Sequence, residues 1–260
     1  MDGSTNSRYY GLDNRIMSYG IFAHVYDELM DDTLFVKWLE YTEKFILDPN
    51  TSILELGCGN GQLGILLKEK DYDISGLDLS AEMLSLAKQR QEAAGVEFPL
   101  FHVDMRDLSS FGIYDAIISY CDTLCYLETQ EDLTTVFEQV YVHLETNGVF
   151  LFDVFTTEHI ASLDGYSYHD ELPSIVFTWD SFSGDVPHSI EHELSFFVEQ
   201  ETGQYERYEE LHKERTYPIE MYLEMLRKAG FSNIEVVADF NQDITGDNVR
   251  WFFKAQKSKK

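Results

Sequence analysis

The sequence is short of cysteine, short of basic residues, and has no long apolar run. Three cysteines in 260 residues, an odd number, do not make a disulfide framework. No apolar stretch approaches the roughly 20 residues that span a bilayer, so no membrane partner is expected. The opening MDGSTNSRYY is polar and has no secretory signal. These absences point to a reducing compartment, and the expected location is cytoplasmic. Lys and Arg number 19 against 47 Asp and Glu, a formal net charge of −28. Phosphate backbones are bound by cations with release of counterions. So acidic a surface repels nucleic acid and anionic membrane at long range. Nucleic acid is therefore not an expected partner, and a small molecule is. Cys121 and Cys125 suit one helical face, but no third ligand sits nearby and no metal site is expected.

What is present is a repeating alternation of elements. Residues 1–16 read as a flexible lead or an added remnant and carry no fold argument. From Ile21 to Leu47 apolar residues recur at helical spacing, with a break and new N-cap at Asp31, Asp32 and Thr33. Strands are then expected at 52–56, 73–78, 97–103, 114–119 and 148–154. Helices are expected at 62–70, 80–93 and 130–145, with Ser80 as an N-cap. Such alternation predicts a doubly wound α/β fold, a mostly parallel sheet with helices on both faces.

After Thr156 the period changes. Residues 174–180, 190–199 and 205–217 alternate apolar and polar, and IEHELSFFVEQ is the clearest case. Turn signals SFSGDVP and QETGQ separate them. Three such strands predict an antiparallel sheet exposed on at least one face. Residues 157–217 hold fourteen Asp or Glu, three Lys or Arg, and five of the eight histidines. They read as a β insertion, a cap, within a main domain of residues 17–156 and 218–260. The first pattern resumes with a helix between Pro218 and Gly230, then FSNIEVVADF and VRWFFKAQ complete the sheet.

ILELGCGNGQLGILL, residues 53–67, is the most informative stretch. A P-loop needs a GKS or GKT ending, and Gln62 and Leu63 follow Gly61 instead. Counted from Gly57, the third glycine comes one residue early for the dinucleotide spacing. The pattern Glu55-x-Gly57-x-Gly59-x-Gly61 resembles the first motif of class I S-adenosylmethionine-dependent methyltransferases. That cofactor has no phosphate but carries an ammonium, so an acid at the end of the first strand has a use. Glycines allow a tight turn and a close backbone approach to the ligand.

The resemblance covers roughly residues 19–156 and 218–256. It implies a seven-stranded Rossmann-like sheet and S-adenosylmethionine as cofactor. It places Asp78, in SGLDLS, on the ribose hydroxyls, with Leu79 and Met83 lining the adenine. Asp104, in HVDMRDL, would meet the adenine amino group, with Met105 over the ring. Ser119, Tyr120, Cys121 and Asp122 fall at the rim near the methyl donor, and Cys58 belongs to the glycine turn that binds the cofactor. The segment DTLCYL, Asp122 to Leu127, is similar to a "D-(S/T)-L-x-Y-L" stretch of small-molecule N-methyltransferases and of bacterial YqeM-type methyltransferases. YGIFAHVYDELM also looks like the YqeM-type opening, which would bring Tyr19 and Tyr26 over the cleft.

Methyl transfer needs a base only where the acceptor carries a proton. The candidates are Tyr26, Asp122, Tyr126 and His212. Strand periodicity puts Tyr208, Glu210, His212 and Glu214 on one face of a strand. In the insertion, Trp179, His192 and Arg215 are candidates for holding the acceptor, Arg215 through a carboxylate. Trp179 also suits ordinary packing between cap and core, and Arg215 an exposed cross-strand ion pair. The cap resembles additions in glycine N-methyltransferase-like and sugar-amine N-methyltransferases, which shelter the acceptor, sometimes in a homodimer. Three functions stay open: methylation of a small molecule such as an amine, methylation of RNA or protein, and a cofactor-binding regulator without catalysis.

Overall fold

The computed structural model describes residues 32–200, 202–240 and 242–258. Tyr19 and Tyr26, and any helix before Asp32, lie outside them. Helix α1 (Asp32–Glu43) leads into β1 (Ser52–Leu56), α2 (Gln62–Glu69), β2 (Asp73–Asp78), α3 (Ala81–Ala94) and β3 (Leu100–His102). Next come β4 (Tyr114–Ser119), a short 3-10 turn (Thr123–Tyr126), α4 (Gln130–His143) and β5 (Leu144–Phe155). The helix starts follow side-chain chemistry. Ser80 Oγ accepts from the Met83 amide at 3.1 Å, and Thr129 Oγ1 from the Asp132 amide at 3.1 Å.

The main sheet has the order β10-β11-β5-β4-β1-β2-β3, with β10 at Ser232–Ala238 and β11 at Arg250–Gln256. β1 pairs in parallel with both β2 and β4, β2 with β3, and β4 with β5. β11 is antiparallel to β5 and β10. It is the exception in an otherwise parallel sheet, which matches the expected class.

Both faces of the sheet are buried, and alternate side chains feed two cores. Leu54, Ile117, Phe150, Phe152 and Phe253 pack under α4 and α6 (Ile219–Ala229). Ile53, Ile118, Leu151 and Phe252 pack under α1 and α2. This two-sided burial explains why SILEL and YDAIIS read as nearly continuous apolar runs. β3 is shorter than the expected 97–103 because Pro99 has no amide to give to the ladder.

The insertion forms a separate antiparallel sheet, β6-β7-β8-β9, at Ser167–Leu172, Ile175–Ser183, Ser189–Glu199 and Tyr205–Arg215. Helix α5 (Thr157–Ser162) precedes it, capped where Thr156 Oγ1 accepts from the His159 amide at 2.9 Å. The sequence pattern predicts neither α5 nor β6. Five of the six residues of β6 are exposed, so it has no apolar alternation to read. No helix among the described residues is long and apolar enough to cross a membrane.

Candidate functional site

The strand order reverses between β1 and β4, and a cleft of about 920 Å³ opens beyond their carboxyl ends. Gly57 and Gly59 line it and Gly61 follows them, all three with φ between 51° and 75°. A Cβ on Gly57 would meet Thr123 Cγ2 at 2.1 Å, and one on Gly61 would meet Ala87 Cβ at 2.8 Å. A Cβ on Gly59 would meet nothing within 4 Å. Gly57 and Gly61 therefore allow packing, whereas Gly59 leaves space open at the cleft.

Counted from Gly59 instead, the run Gly59-x-Gly61-x-x-Gly64 does carry the dinucleotide spacing. Its third glycine is spoken for by packing: a Cβ there would lie 2.6 Å from Phe98 Cζ and 3.2 Å from Glu55 Oε2. The acid beside it decides between ligands. Glu55 lines the cleft, is 5% exposed, and its Oε2 has no hydrogen-bond partner among the described residues. Burial, helped by the charge of Asp78, pushes its pKa up to about 8. A buried, unpaired carboxyl suits an ammonium and opposes a pyrophosphate.

Asp78 ties the turn together. Its Oδ2 accepts from the Gly59 amide at 2.8 Å and its Oδ1 from the Ser80 amide at 2.8 Å. Burial raises its pKa against the pull of these donors. A carboxylate has about four acceptor sites, so two remain for hydroxyls. Leu79 and Met83 line the same end of the cleft, as do Asp104 and Met105. Arg106 bonds Asp104 bidentately, Nη2 to Oδ2 at 2.6 Å, and these bonds hold the Asp104 pKa low. Cys58 is buried, and Tyr120 gives or takes a hydrogen bond with Thr42 Oγ1 at 3.0 Å.

The other end begins where β4 stops. Cys121 and Asp122 have φ of 58° and 51°, two left-handed non-glycine residues in a row. Such strain persists only where the surroundings over-determine it. The Asp122 amide donates to Asp153 Oδ1 at 2.9 Å, and Arg250 Nη2 bonds Asp122 Oδ1 at 2.6 Å. Trp38 Nε1 donates to Asp153 Oδ2 at 2.8 Å, and burial pushes the Asp153 pKa up to about 7. The sequence suggests Asp122 as a base. In the structure its carboxylate is bound by Arg250. Neither Asp153 nor Arg250 stands out in the sequence, and no local signal marks them. Their partners lie 31 and 128 residues away.

Tyr126 and His212 face the cleft together, joined by a 3.2 Å hydrogen bond between Oη and Nδ1. His192 stands opposite His212 in register, with Nδ1 and Ser181 Oγ 2.7 Å apart. Burial pushes the His192 pKa down to about 4. Trp179 meets His192 edge-on and packs with Phe177, Leu194 and Phe196. Neither His192 nor Trp179 lines the cleft directly. Arg215 does not either. It donates to the Glu128 carbonyl at 2.9 Å and lies over the Tyr217 ring.

Comparison with known proteins gives the same answer as the geometry. Residues 53–148 match the model of a family described as "Methyltransferase domain". YqeM of Bacillus subtilis (strain 168), provisionally named a methyltransferase, is 39% identical over 248 residues, 94% of this chain and 98% of that one. The chain belongs to the YqeM-type methyltransferases. An S-adenosylmethionine-dependent methyltransferase from Clostridium acetobutylicum ATCC 824 is a structural neighbour of this YqeM-type chain. It has a TM-score of 0.80 at 27% identity, over 93% of this chain and 99% of that one. The sugar N-methyltransferase KedS8 from Streptoalloteichus sp. ATCC 53650 shares the fold at TM-score 0.75 and 22% identity, over 100% and 99%. This YqeM-type chain is thus an S-adenosylmethionine-dependent methyltransferase. The lone carboxyl of Glu55 and the open space at Gly59 fit that cofactor.

Proposed function

We propose that this enzyme methylates a small molecule, at an amine nitrogen, inside a cleft roofed by the inserted sheet of residues 157–217. S-adenosylmethionine supplies a methyl group already activated on a sulfonium. The chain's task is to hold, align and keep out water. Orientation of this kind is worth roughly 7 to 11 kcal/mol. Glu55 holds the ammonium, and the turn at Gly57, Cys58, Gly59 and Gly61 lets the backbone close on the ligand. Asp78 takes the ribose hydroxyls. Leu79, Met83 and Met105 line the base, and Asp104 faces its amino group. Tyr120 and Cys121 form the rim, where Asp122, clamped by Arg250, fixes the turn that carries Tyr126.

The observation that carries the acceptor class is the state of the cations lining the cleft. Among the described residues these are Arg106 and Lys213. Arg106 is bound to Asp104 and Asp132, and Lys213 Nζ lies 2.7 Å from Glu191. Neither cation is left to hold a phosphate backbone. The Glu210 carboxyl, 2.9 Å from His212 Nε2 behind the cleft wall, favours a cationic guest. KedS8, of like fold, is by name a methyltransferase of a sugar nitrogen.

The test is transfer of radiolabelled methyl to three pools: a metabolite extract, total RNA and total protein. Label in a cation-exchange-retained fraction of the extract supports the reading. Label in RNA or protein overturns it. Cofactor binding with no transfer to any pool also overturns it and favours a regulator.

A further inference from the structure

Behind Tyr126 the inserted sheet carries a chain of hydrogen bonds that leads away from the cleft. His212 Nε2 lies 2.9 Å from Glu210 Oε2, and His212 Nδ1 lies 3.2 Å from Tyr126 Oη. The His212 and Glu210 side chains are 10% and 4% exposed. Strand period two brings Glu210 and His212 to the same face of β9, and the 3-10 turn delivers Tyr126 from the main domain. We propose that Tyr126, His212 and Glu210 form a proton relay whose outer end opens on the cleft, with Tyr126 and His212 as the base of the transfer.

The direction of the chain follows from the groups. A carboxylate only accepts, so the shared proton with Glu210 sits on Nε2. Neutral imidazole then has its lone pair on Nδ1, and the Tyr126 hydroxyl donates to it. Glu210 is a positioning residue: it fixes the tautomer and balances the imidazolium that forms. The other groups facing the relay do not compete for this role. His192, from β8, has its pKa pushed down to about 4 by burial. Glu214, on β9, also reaches the Tyr126 hydroxyl, but burial and Asp122 raise its pKa well above the usual carboxylate range, so it does not take the Tyr126 proton. Asp122, from the rim, is bound by Arg250. The Cys125 thiol is raised by burial, next to Glu214.

The step balances. A protonated amine gives one proton to Tyr126 Oη as Tyr126 passes its own to His212 Nδ1. The freed nitrogen lone pair forms the bond to the methyl carbon. The carbon–sulfur bond breaks, and its electron pair stays on sulfur as a thioether. The product ammonium keeps its remaining proton, and His212 releases the extra one to water when the product leaves.

This rests on the methyltransferase reading, so the test has a readout independent of turnover. Full-length protein with 15N-labelled histidine is studied by NMR from pH 5 to 9. The neutral His212 ring should carry its proton on Nε2. Tyr126→Phe should move the Nδ1 resonance to that of a free lone pair. Glu210→Ala should mix the tautomers, and Glu210→Gln, which keeps an acceptor, should preserve the tautomer. Methyl transfer into the cation-exchange fraction of a metabolite extract is followed alongside. Tyr126→Phe should slow it about a hundredfold or more, the usual worth of a base, and abolish the acid limb of the pH profile. Glu210→Gln should slow it and move that limb to lower pH. A merely structural role would lower the rate and leave the limb in place. A proton on Nδ1 in the wild type, or a Tyr126→Phe variant with normal rate and limb, overturns the relay. Calorimetry with S-adenosylhomocysteine on the same samples separates the two claims. Wild-type protein that fails to bind it sinks the cofactor reading, while the tautomer result still decides the relay.

Discussion

Glu55→Gln should make the protein more stable and the cofactor weaker, and both effects can be sized. The Glu55 carboxyl has a pKa of about 8 in the folded chain, against an ordinary glutamate value of 4.5. The folded state therefore holds its proton more tightly than the unfolded state. Stability is fully present below pH 4.5 and is lost as pH rises towards 8. At pH 7 the loss is about 3 kcal/mol, at about 1.4 kcal/mol for each pH unit above the ordinary value. Gln cannot ionise and escapes this loss, although its buried amide costs about 1 to 3 kcal/mol if left unbonded. The offset does not vary with pH, so the slope carries the information. Urea unfolding from pH 4.5 to 8 should show the Gln variant gaining steadily on the wild type. A difference that is flat with pH would refute the buried, unpaired carboxyl.

The same variant should lose cofactor. A charged hydrogen bond is worth about 1.5 to 3 kcal/mol, which converts to roughly a ten- to hundredfold weaker binding of S-adenosylhomocysteine. Wild-type Glu55 is mostly protonated at pH 7, so binding an ammonium there should release close to one proton. Calorimetry in two buffers of different ionisation enthalpy measures this. The Gln variant should release none from this site. Equal affinity and equal proton release in both proteins would remove Glu55 from the site.

Gly59→Val should fold and fail to bind S-adenosylhomocysteine, because its Cβ enters open cleft rather than protein. A folded variant of normal affinity in calorimetry contradicts that placement. Asp78→Ala should weaken binding by about 1.5 to 3 kcal/mol and also free the Gly59 and Ser80 amides. Unchanged calorimetric affinity counts against its ribose role. Arg250→Leu should cost about 3 to 5 kcal/mol in urea unfolding, since Asp122 and Asp153 are left buried without their cation. A loss below about 1 kcal/mol would show that the rim does not depend on this ion pair.

How much can be read in advance follows from the range of each interaction. Glu55, Gly57, Gly59, Gly61 and Asp78 sit at strand ends and in one tight turn, so spacing alone brings them together. The face of β9 is legible too: Glu210, His212 and Glu214 alternate with exposed Glu209, Leu211 and Lys213. β6 is not, because an exposed edge strand has no burial pattern to imprint. The meeting of Tyr126 with His212 spans 86 residues, and that of Asp122 with Arg250 spans 128. Such pairs depend on how the inserted sheet and the last strand dock, which no local period records. Asp122 reads as a free acid for the same reason.

The most direct test of the whole account sets two ligands against each other in the same cell. Isothermal titration of the full chain with S-adenosylhomocysteine should give saturable one-to-one binding with proton release at pH 7, and titration with NAD should give none. Binding of the dinucleotide, with no response to the nucleoside, would contradict a pocket built around the Glu55 carboxyl.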